Sequence, residues 1–232
     1  MQIIPVIDIL KGTVVHACRG RRDDYRPIRS RLCSGSGPEA IIAAFLELYP
    51  FPEIYIADLD AIEEKGSNDD VIGMLSERFP DVTFWIDRGS DAASCNRPRN
   101  VPVIGTETGL SRQALTAVIR QQPQAVLSLD FNADGLIGDK NILKQKEDWP
   151  QCCIVMALHR VGSGEGPDME LLRSIRERAP KKSLYAAGGL RDEKDLTRLI
   201  DAGATGALLA SALHNGTMTR QIIEASFRCN SR

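Results

Sequence analysis

The sequence predicts a (β/α)₈ barrel, an α/β fold, on three observations. Short apolar runs alternate with helical patterns along all 232 residues. The runs are continuously apolar, as parallel strands covered on both faces require, and lack the polar alternation of half-exposed strands. Eight alternations in a chain of this length fit one closed TIM barrel. A doubly wound sheet is the alternative, but no G-x-G-x-x-G motif follows the first run. Because no Pro/Gly/Ser-rich linker divides the chain, we expect a single domain, residues 1–232.

The predicted strands are the eight apolar runs, taken in chain order. They are Ile3–Asp8, Glu53–Asp58, Val82–Asp87, Val101–Gly105, Ala125–Asp130, Cys152–Leu158, Ser183–Ala187 and Gly206–Ala210. The helical patterns are Pro38–Leu48, Asp69–Arg78, Ser111–Gln121, Met169–Arg178, Glu193–Ala202 and Thr219–Phe227. In the fifth of these, Leu196, Leu199 and Ile200 have the spacing of one buried helix face. Two connections are weaker, because Ser90–Arg97 makes a poor helix and Asn141–Glu147 is mostly polar.

The two halves of the sequence resemble each other, which favours a half-barrel internal duplication. Matching segments are Phe84–Asp91 with Tyr185–Asp192, Val103–Thr106 with Leu208–Ser211, and Asp8 with Asp130. Repetition of one supersecondary unit is the usual origin of such matches, although short α/β units can also resemble one another by chance.

The composition excludes several classes of protein. Hydrophobic residues make up 43% and charged residues 26% of the chain, which is typical of a globular protein. The net charge of −2 argues against a nucleic-acid partner, and no apolar run is long enough to span a membrane. The six cysteines form no C-x-x-C pair and no zinc spacing with the histidines, so we expect a reduced, cytoplasmic protein without a metal or cofactor. Homo-oligomer formation is left open.

Two aspartates are the candidate catalytic residues. Asp8 and Asp130 end the predicted strands 1 and 5, which lie opposite each other in an eightfold barrel. Active groups of such barrels sit at the C-terminal ends of strands, so both carboxylates are expected to face one pocket. One would act as a general base and the other as a general acid. The alternative is that a strand-end aspartate only caps the following turn.

Glycines and small residues after strands 7 and 8 predict a phosphate site. Gly188 and Gly189 follow strand 7, and Ala210 and Ser211 follow strand 8. Glycine lets the backbone approach closely, and exposed N–H groups with a helix N-terminus bind an anion. The alternative is that these are turn glycines without a ligand. The expected partner is a small phosphorylated metabolite.

The equivalent place in the first half has different residues. Gly105 and Thr106 after strand 4 form half of a second phosphate cradle. Strand 3, however, ends in Asp87, whose charge would repel a phosphate, and Arg88 would compensate. A second phosphate site is therefore an open question.

Basic and imidazole side chains near the expected pocket are candidate substrate contacts. Residues 19–31 contain six arginines against two aspartates. Arg19, Arg21 and Arg22 could grip an anionic substrate from a mobile lid, because guanidinium binds carboxylate and phosphate bidentately. A solvated loop with internal ion pairs is the alternative. His159 lies at the end of strand 6, where a substrate contact competes with a structural role.

Several of these motifs resemble one known family, the histidine-biosynthesis barrels. They are Ile4–Val15 with Arg19-Gly20, Ser128-Leu129-Asp130, Ala187–Leu190 and Gly105-Thr106. Within this family the chain is more similar to the ribotide isomerase than to the cyclase, which usually has Cys-Leu-Asp where this chain has Val6-Ile7-Asp8. The resemblance implies an Amadori rearrangement of an aminoaldose to an aminoketose. It also implies that Asp8 is the general base, Asp130 is the general acid, and the glycines after strand 7 belong to one of two phosphate cradles.

The chain departs from this family at three places. The family has Gly-Gly-Gly-Ile-Arg after strand 3, where this chain has Ile86–Ser90. The family's Thr-Asp pair after strand 6 is replaced by Met156-Ala157. The segment Arg21–Pro27 instead resembles a divergent group of methanogens and methylotrophs. Three hypotheses follow: a sugar-phosphate aldose–ketose isomerase, a barrel enzyme of another pathway acting on a small monophosphate (isomerase, lyase or synthase), and a non-catalytic ligand-binding barrel.

Overall fold

The computed structural model describes residues 1–90 and 97–228, and it contains the predicted barrel. The strands are β1 (Gln2–Leu10), β2 (Thr13–His16), β3 (Arg26–Pro27), β4 (Glu53–Asp58), β5 (Thr83–Asp87), β6 (Asn100–Gly105), β7 (Val126–Asn132), β8 (Gly135–Leu136), β9 (Cys152–Ala157), β10 (Ser183–Ala187) and β11 (Gly206–Leu209). Around the barrel the order is β1, β4, β5, β6, β7, β9, β10 and β11, all parallel. The parallel pairing of β11 with β1 closes the ring.

The α-helices agree closely with the sequence patterns. They are α1 (Pro38–Leu48), α2 (Leu59–Ile62), α3 (Asp69–Arg78), α4 (Arg112–Gln121), α5 (Met169–Arg178), α6 (Glu193–Asp201), α7 (Ser211–His214) and α8 (Arg220–Arg228). Side-chain caps fix several starting points: Ser111 accepts a hydrogen bond from the Ala114 amide at α4, and Asp168 accepts one from Leu171 at α5. The polar connection around Asn141–Glu147 contains two 3₁₀ helices. The predicted poor helix Ser90–Arg97 lies mostly outside the described residues.

Hydrophobic side chains fill two separate regions of the barrel. A larger cluster packs the outer strand faces against the helices, and Phe45 of α1 and Ile54 of β4 are both fully buried in it. A smaller cluster fills the barrel interior, where the rings of Trp85 and Tyr185 meet edge to face at 4.9 Å. Burial of each large apolar side chain contributes about 1.5–3 kcal/mol relative to its exposure. Burial on both faces explains why the strands read as continuous apolar runs.

Three short strands extend the barrel beyond the predicted pattern. β1 turns at Lys11 and Gly12, both with positive φ, and pairs antiparallel with β2. β7 pairs in the same way with β8. Asp8 and Asp130 are therefore two residues before the ends of their strands, rather than at the ends as the sequence predicted. The halves of the barrel share this hairpin after their first strand, which adds to their resemblance in sequence.

The arginine-rich segment has local structure of its own. Arg22–Asp24 forms a 3₁₀ helix, and Arg26–Pro27 pairs with β2. Among the helices in the described part of the chain, none is long and apolar enough to cross a membrane.

Candidate active site

Asp8 and Asp130 face one cavity from opposite sides of the barrel. β1 and β7 are four strands apart in either direction around the ring. Both aspartates line a cavity of about 700 Å³ at the carboxyl ends of the strands. The geometry that the sequence predicted for these two residues is present, because strands 1 and 5 of a closed eightfold barrel must lie opposite each other.

Hydrogen bonds from neighbouring residues hold the Asp130 carboxylate in place. Its Oδ2 accepts from the Glu107 amide at 3.0 Å and from Thr106 Oγ1 at 3.3 Å, and its Oδ1 accepts from Ser128 Oγ at 2.6 Å. Burial and then the negative charge of Glu107 raise the pKa of Asp130 to about 8, although the Ser128 hydrogen bond acts in the opposite direction. Asp130 is therefore predominantly protonated at pH 7 and can donate a proton.

Asp8 has a different environment from Asp130. No hydrogen-bond donor contacts its carboxylate within the described residues, and it keeps partial solvent contact through the cavity. Burial raises the pKa of Asp8 to about 7, the positive charge of Arg22 lowers it, and the charge of Asp87 raises it. Near neutral pH a substantial fraction of Asp8 is ionised and can accept a proton. Two carboxyls that face one cavity from different surroundings, one held by three donors and one without a donor, are typical of an acid–base pair.

Asp87 and Tyr55 form a third polar group in the same cavity. Tyr55 Oη donates to Asp87 Oδ2 at 2.9 Å, and the Gly89 amide donates to Asp87 Oδ1 at 3.0 Å. Burial and the charge of Glu107 raise the pKa of Asp87 to about 6. From the sequence, Asp87 was expected to be a strand-end carboxylate that would repel a phosphate, whereas Tyr55 and Glu107 were not candidates. The sequence indicates both residues only weakly. Tyr55 lies inside an apolar strand, and the one indication for Glu107 is that it follows the end of a strand closely, where a side chain can reach the cavity.

The loops after β10 and β11 lie on the opposite wall of the cavity. Gly188 and Gly189 have φ angles of +103° and +83°, a region that strongly favours glycine. A Cβ at Gly189 would lie 2.4 Å from the Gly166 carbonyl oxygen, so the backbone could not keep its path with a side chain there. Both glycines, Ala210 and Ser211 line the cavity. No acceptor is found among the described residues for the Gly189 and Ser211 amides.

His16 extends this wall and was not a candidate in the sequence analysis. It lies at the end of the hairpin strand β2, with its Nε2 3.2 Å from Ser211 Oγ. The hairpin was not predicted, so no pattern connected this residue with the loop after β11. His159, which was a candidate, also lines the cavity, and its Nε2 lies 3.3 Å from Asp168 Oδ2.

The three candidate arginines have different positions. Arg19 and Arg22 line the cavity. Arg19 pairs with Glu165 at 2.7 Å, and Arg22 pairs with Glu107 at 3.1 Å. Arg21 does not line the cavity, because its exposed side chain pairs with Asp24 within the same turn. A helical turn points neighbouring side chains in different directions, and the sequence could not separate Arg21 from Arg22.

The predicted first-half cradle is also corrected by the structure. Arg88 is 2% exposed and lies against Asp58 and Asp69, with its Nε 3.4 Å from Asp58 Oδ2. It does not line the cavity and therefore does not compensate Asp87 there. Gly105 and Thr106 lie behind Asp130 rather than on the cavity wall, since Thr106 Oγ1 also accepts the Asp130 amide at 2.9 Å. In this position the hydroxyl of Thr106 fixes the Asp130 carboxylate, and Gly105 packs against it.

No group of three or more His, Cys, Asp or Glu in residues 1–90 and 97–228 has the geometry of a metal site. The polar groups that line the cavity include carboxyls, backbone amides of the loops and the arginines Arg19 and Arg22. A carboxylic acid and a carboxylate across one cavity can move a proton between two atoms of a bound molecule.

Fold and cavity together define the class of protein. It is a (β/α)₈ barrel whose polar side chains converge at the carboxyl ends of the strands, the position of the active site in characterised enzymes of this fold. Within that class the chain belongs to the histidine biosynthesis protein family, whose sequence pattern matches residues 2–219. The family resemblance noted in the sequence is thus confirmed.

Curated relatives of nearly full length are similar to this chain. An uncharacterised protein of Methanocaldococcus jannaschii is 28% identical, covering 98% of this chain and 99% of its own length. A Myxococcus xanthus protein is 26% identical, with coverages of 98% and 99%, and one from Methanopyrus kandleri is 22% identical, with coverages of 92% and 93%. The last two are named as isomerases of an imidazole-4-carboxamide that carries two 5-phosphoribosyl groups.

Proposed function

We propose that the protein is an intramolecular aldose–ketose isomerase acting on a phosphorylated sugar derivative. The observation that carries the proposal is the placement of Asp8 and Asp130 on opposite strands, facing one cavity, with pKa values of about 7 and about 8. The names of the full-length relatives support an isomerase over the lyase and synthase alternatives. A non-catalytic barrel would have no use for two desolvated carboxyls, which cost stability.

In the proposed reaction each aspartate moves one proton. Asp130 donates its proton to the ring oxygen of the sugar and thereby opens the ring. Asp8 removes the proton from C2 to give an enol or enaminol, which becomes the ketose when Asp8 returns that proton to C1 and the C2 hydroxyl gives its proton back to Asp130. No atom is added or lost, so this isomerisation needs no external oxidant or reductant. Thr106, Ser128 and the Glu107 amide hold Asp130 at the angle that this transfer requires.

The loops after β10 and β11 are the proposed phosphate cradle. Gly188 and Gly189 bring backbone amides to the cavity, and Ala210 and Ser211 add the amides at the start of α7. His16 contributes a ring nitrogen beside Ser211. Arg19, Arg22 and His159 are the proposed contacts to the rest of the substrate, because all three line the cavity. The cradle fixes one end of the substrate and so aligns C1 and C2 with the two aspartates.

Hydrogen–deuterium exchange at C2 tests the proposal without knowledge of the final product. The protein is incubated in D₂O with ribose 5-phosphate, glucosamine 6-phosphate and the two-phosphate ribotide of the relatives, and exchange is followed by proton NMR. We expect exchange with at least one compound and a loss of about 100-fold or more in Asp8→Asn and Asp130→Asn. Asp139→Asn is the matched control, because Asp139 only accepts hydrogen bonds from Arg112 and Asn141 on the outer surface. Exchange that persists in Asp8→Asn would show the proposal to be wrong.

A second measurement tests the cradle and the pathway. Gly189→Ala should weaken binding of inorganic phosphate, whereas Gly35→Ala, which has the same backbone strain (φ +84°) with no atom within 4 Å, should not. Rescue of a histidine auxotroph that lacks the isomerase, lost again with Asp8→Asn, would identify the ribotide as substrate. Absence of both rescue and C2 exchange would leave the isomerase proposal without support and overturn it.

A further inference from the structure

The wall of the cavity opposite the proposed phosphate cradle is acidic. β5 lies four strands from β10, and β6 lies four strands from β11, so Asp87 and Glu107 are diametrically opposite Gly188 and Ser211. Asp87 is 5% exposed, and Tyr55 together with the Gly89 amide fixes its carboxylate. A phosphate group placed at this wall would bring at least one further negative charge against two carboxylates.

A cation of the chain itself lies against the same wall. The guanidinium of Arg22 contacts both carboxylate oxygens of Glu107, at 3.1 and 3.2 Å, and its Nε is 3.9 Å from Glu63 Oε1. All three side chains retain partial solvent exposure, which allows the ion pair to exchange partners. The wall is therefore already complementary to a planar, positively charged nitrogen group.

The number of charges exceeds what Arg22 neutralises. Asp8, Asp87 and Glu107 face the cavity together with Arg22, while the other two arginines that line it are already paired, Arg19 with Glu165 and Arg191 with Asp195. Asp8 accepts no hydrogen bond within the described part of the chain, so its carboxyl faces the cavity beside the acidic wall without a donor of its own. A cationic group on the substrate would supply the missing positive charge.

We infer that the cavity takes a monophosphate whose far end carries a protonated amine, with the phosphate at Gly188-Gly189 and the amine between Asp87 and Glu107. The inference rests on the proposed function, because the far end of the substrate is defined as the end away from the proposed phosphate cradle. It differs from the substrate named for the isomerase relatives, which carries two phosphoribosyl groups. Asp87 and Glu107 are the specificity-determining residues in this arrangement.

Two matched pairs of sugar phosphates test the inference by isothermal titration calorimetry at pH 7. Fructose 6-phosphate and fructose 1,6-bisphosphate differ only in the second phosphate. Glucose 6-phosphate and glucosamine 6-phosphate differ only in the amine. We expect the bisphosphate to bind at least 10-fold more weakly than fructose 6-phosphate, and glucosamine 6-phosphate to bind at least 10-fold more tightly than glucose 6-phosphate.

Charge-neutral variants connect these preferences to the two residues. Glu107→Gln and Asp87→Asn should each reduce both preferences to within about 3-fold, because each removes one negative charge from the wall. Glu39→Gln is the control, since Glu39 pairs with Arg78 on the outer surface. Glu107 is partly exposed, so its variant should fold even if Asp87→Asn does not, and circular dichroism checks both.

The outcomes separate this inference from the proposed function. If the monophosphates bind and Gly189→Ala weakens them, but the bisphosphate binds as tightly or the amine adds nothing, the inference is wrong and the proposed function stands. If no sugar phosphate binds, or if Gly189→Ala has no effect on binding, the phosphate cradle and the proposed function fail first. Tighter binding of the bisphosphate would mean that Arg22 turns from Glu107 to an anion, and it too would overturn the inference.

Discussion

Asp130 lies between two neighbours that shift its pKa in opposite directions. The charge of Glu107 raises the pKa, and the hydrogen bond from Ser128 lowers it, on top of the larger effect of burial. Neither neighbour is a principal cause of the shift at Asp8, whose pKa responds instead to Arg22 and Asp87. A change at Ser128 should therefore alter the alkaline limit alone, whereas a change at Glu107 also releases Arg22, which lowers the pKa of Asp8.

These different responses give a prediction for the pH dependence of C2 exchange. The base must be ionised and the acid protonated, so the rate should follow a bell with limbs near pH 7 for Asp8 and near pH 8 for Asp130. Glu107→Gln should move the alkaline limb to lower pH by about half a unit or more, because it removes a negative charge. Ser128→Ala should move the same limb to higher pH, because it removes a bond to the ionised carboxylate. The exchange rate is measured from about pH 5.5 to about pH 9.5 in buffers of constant ionic strength, because this range covers both limbs of the bell.

The control for this pH profile is Ser174→Ala, whose hydroxyl donates only to the Leu171 carbonyl on the outside of α5. It should leave both limbs in place. Movement of the alkaline limb in the same direction in Glu107→Gln and Ser128→Ala would contradict the assignment of that limb to Asp130.

Individual residues also show what sequence could predict about the site. Asp8 and Asp130 were predictable, because their positions on opposite strands follow from the order of the strands alone. The position of Arg88 was not predictable, because the direction of a side chain at a strand end depends on one backbone torsion. Here the Arg88 side chain points outward to Asp58. His16 was missed because its position depends on a hairpin that brings the end of β2 to the loop after β11.

At the scale of elements, long buried strands and amphipathic helices were the predictable part of the fold. All eight predicted strands are present, and α1, α3 and α5 have the predicted bounds. The short elements β2, β3, β8, α2 and α7 were not predicted, because two to four residues carry no periodicity. Their formation depends on tertiary contacts, such as the hydrogen bond from the Ile28 amide to the Val14 carbonyl beside the hairpin.

Two loops are joined across the mouth of the cavity. Glu165 bridges Arg19 at 2.7 Å and Arg160 at 2.8 Å, and the Arg19 amide donates to the Val161 carbonyl at 2.8 Å. The bridging side chains are about half exposed or less, so the ion pairs contribute little to the free energy of unfolding. Their expected effect is local, because they restrict the arginine-rich segment 19–31.

We therefore predict that Glu165→Gln increases the rate of tryptic cleavage within residues 19–31 by about threefold or more while Tm changes by less than about 1 °C. The measurement is limited proteolysis followed by mass spectrometry of the fragments, together with a thermal melt. Glu39→Gln removes a comparably exposed ion pair, to Arg78, and should leave the cleavage rate unchanged. Equal cleavage rates in Glu165→Gln and the unmodified protein would mean that the backbone bond at Arg19 alone holds the loop.

At the scale of the whole molecule, the two halves of the barrel have similar geometry and different chemistry. β5 and β6 present Asp87 and Glu107 where β10 and β11 present Gly188 and Ser211. Both halves have a hairpin after the first strand, but the first half presents carboxylates at the cavity wall where the second presents glycine and serine. A barrel tolerates this difference because its loops lie outside the packed core.

The carboxyls that serve the site also determine how the stability of the whole barrel depends on pH. Burial raises the pKa values of Asp8, Asp87 and Asp130 to about 7, 6 and 8. Between the ordinary value of 3.8 and these values the folded state binds more protons than the unfolded state, so stability falls as pH rises. Burial lowers the pKa of His214 to about 4, so its contribution rises between pH 4 and 6.5.

The two effects oppose each other below pH 6.5, and only the carboxyls remain above it. We therefore predict that Tm falls from pH 5 to pH 8, because three carboxyls with raised pKa values outweigh one histidine, and Asp130 contributes roughly 2 kcal/mol to the fall above pH 6.5. Asp130→Asn should flatten this fall and raise Tm at pH 8, because an amide keeps an acceptor for Thr106 and Glu107 and carries no charge. Asp139→Asn should retain the slope, since hydrogen bonds already lower the pKa of Asp139 and it is ionised throughout the range. The measurement is Tm at half-unit steps from pH 5 to 8.5. A Tm that stays constant or rises between pH 6.5 and 8 would mean that the cavity carboxyls are not desolvated, and the acid–base pair would lose its physical basis.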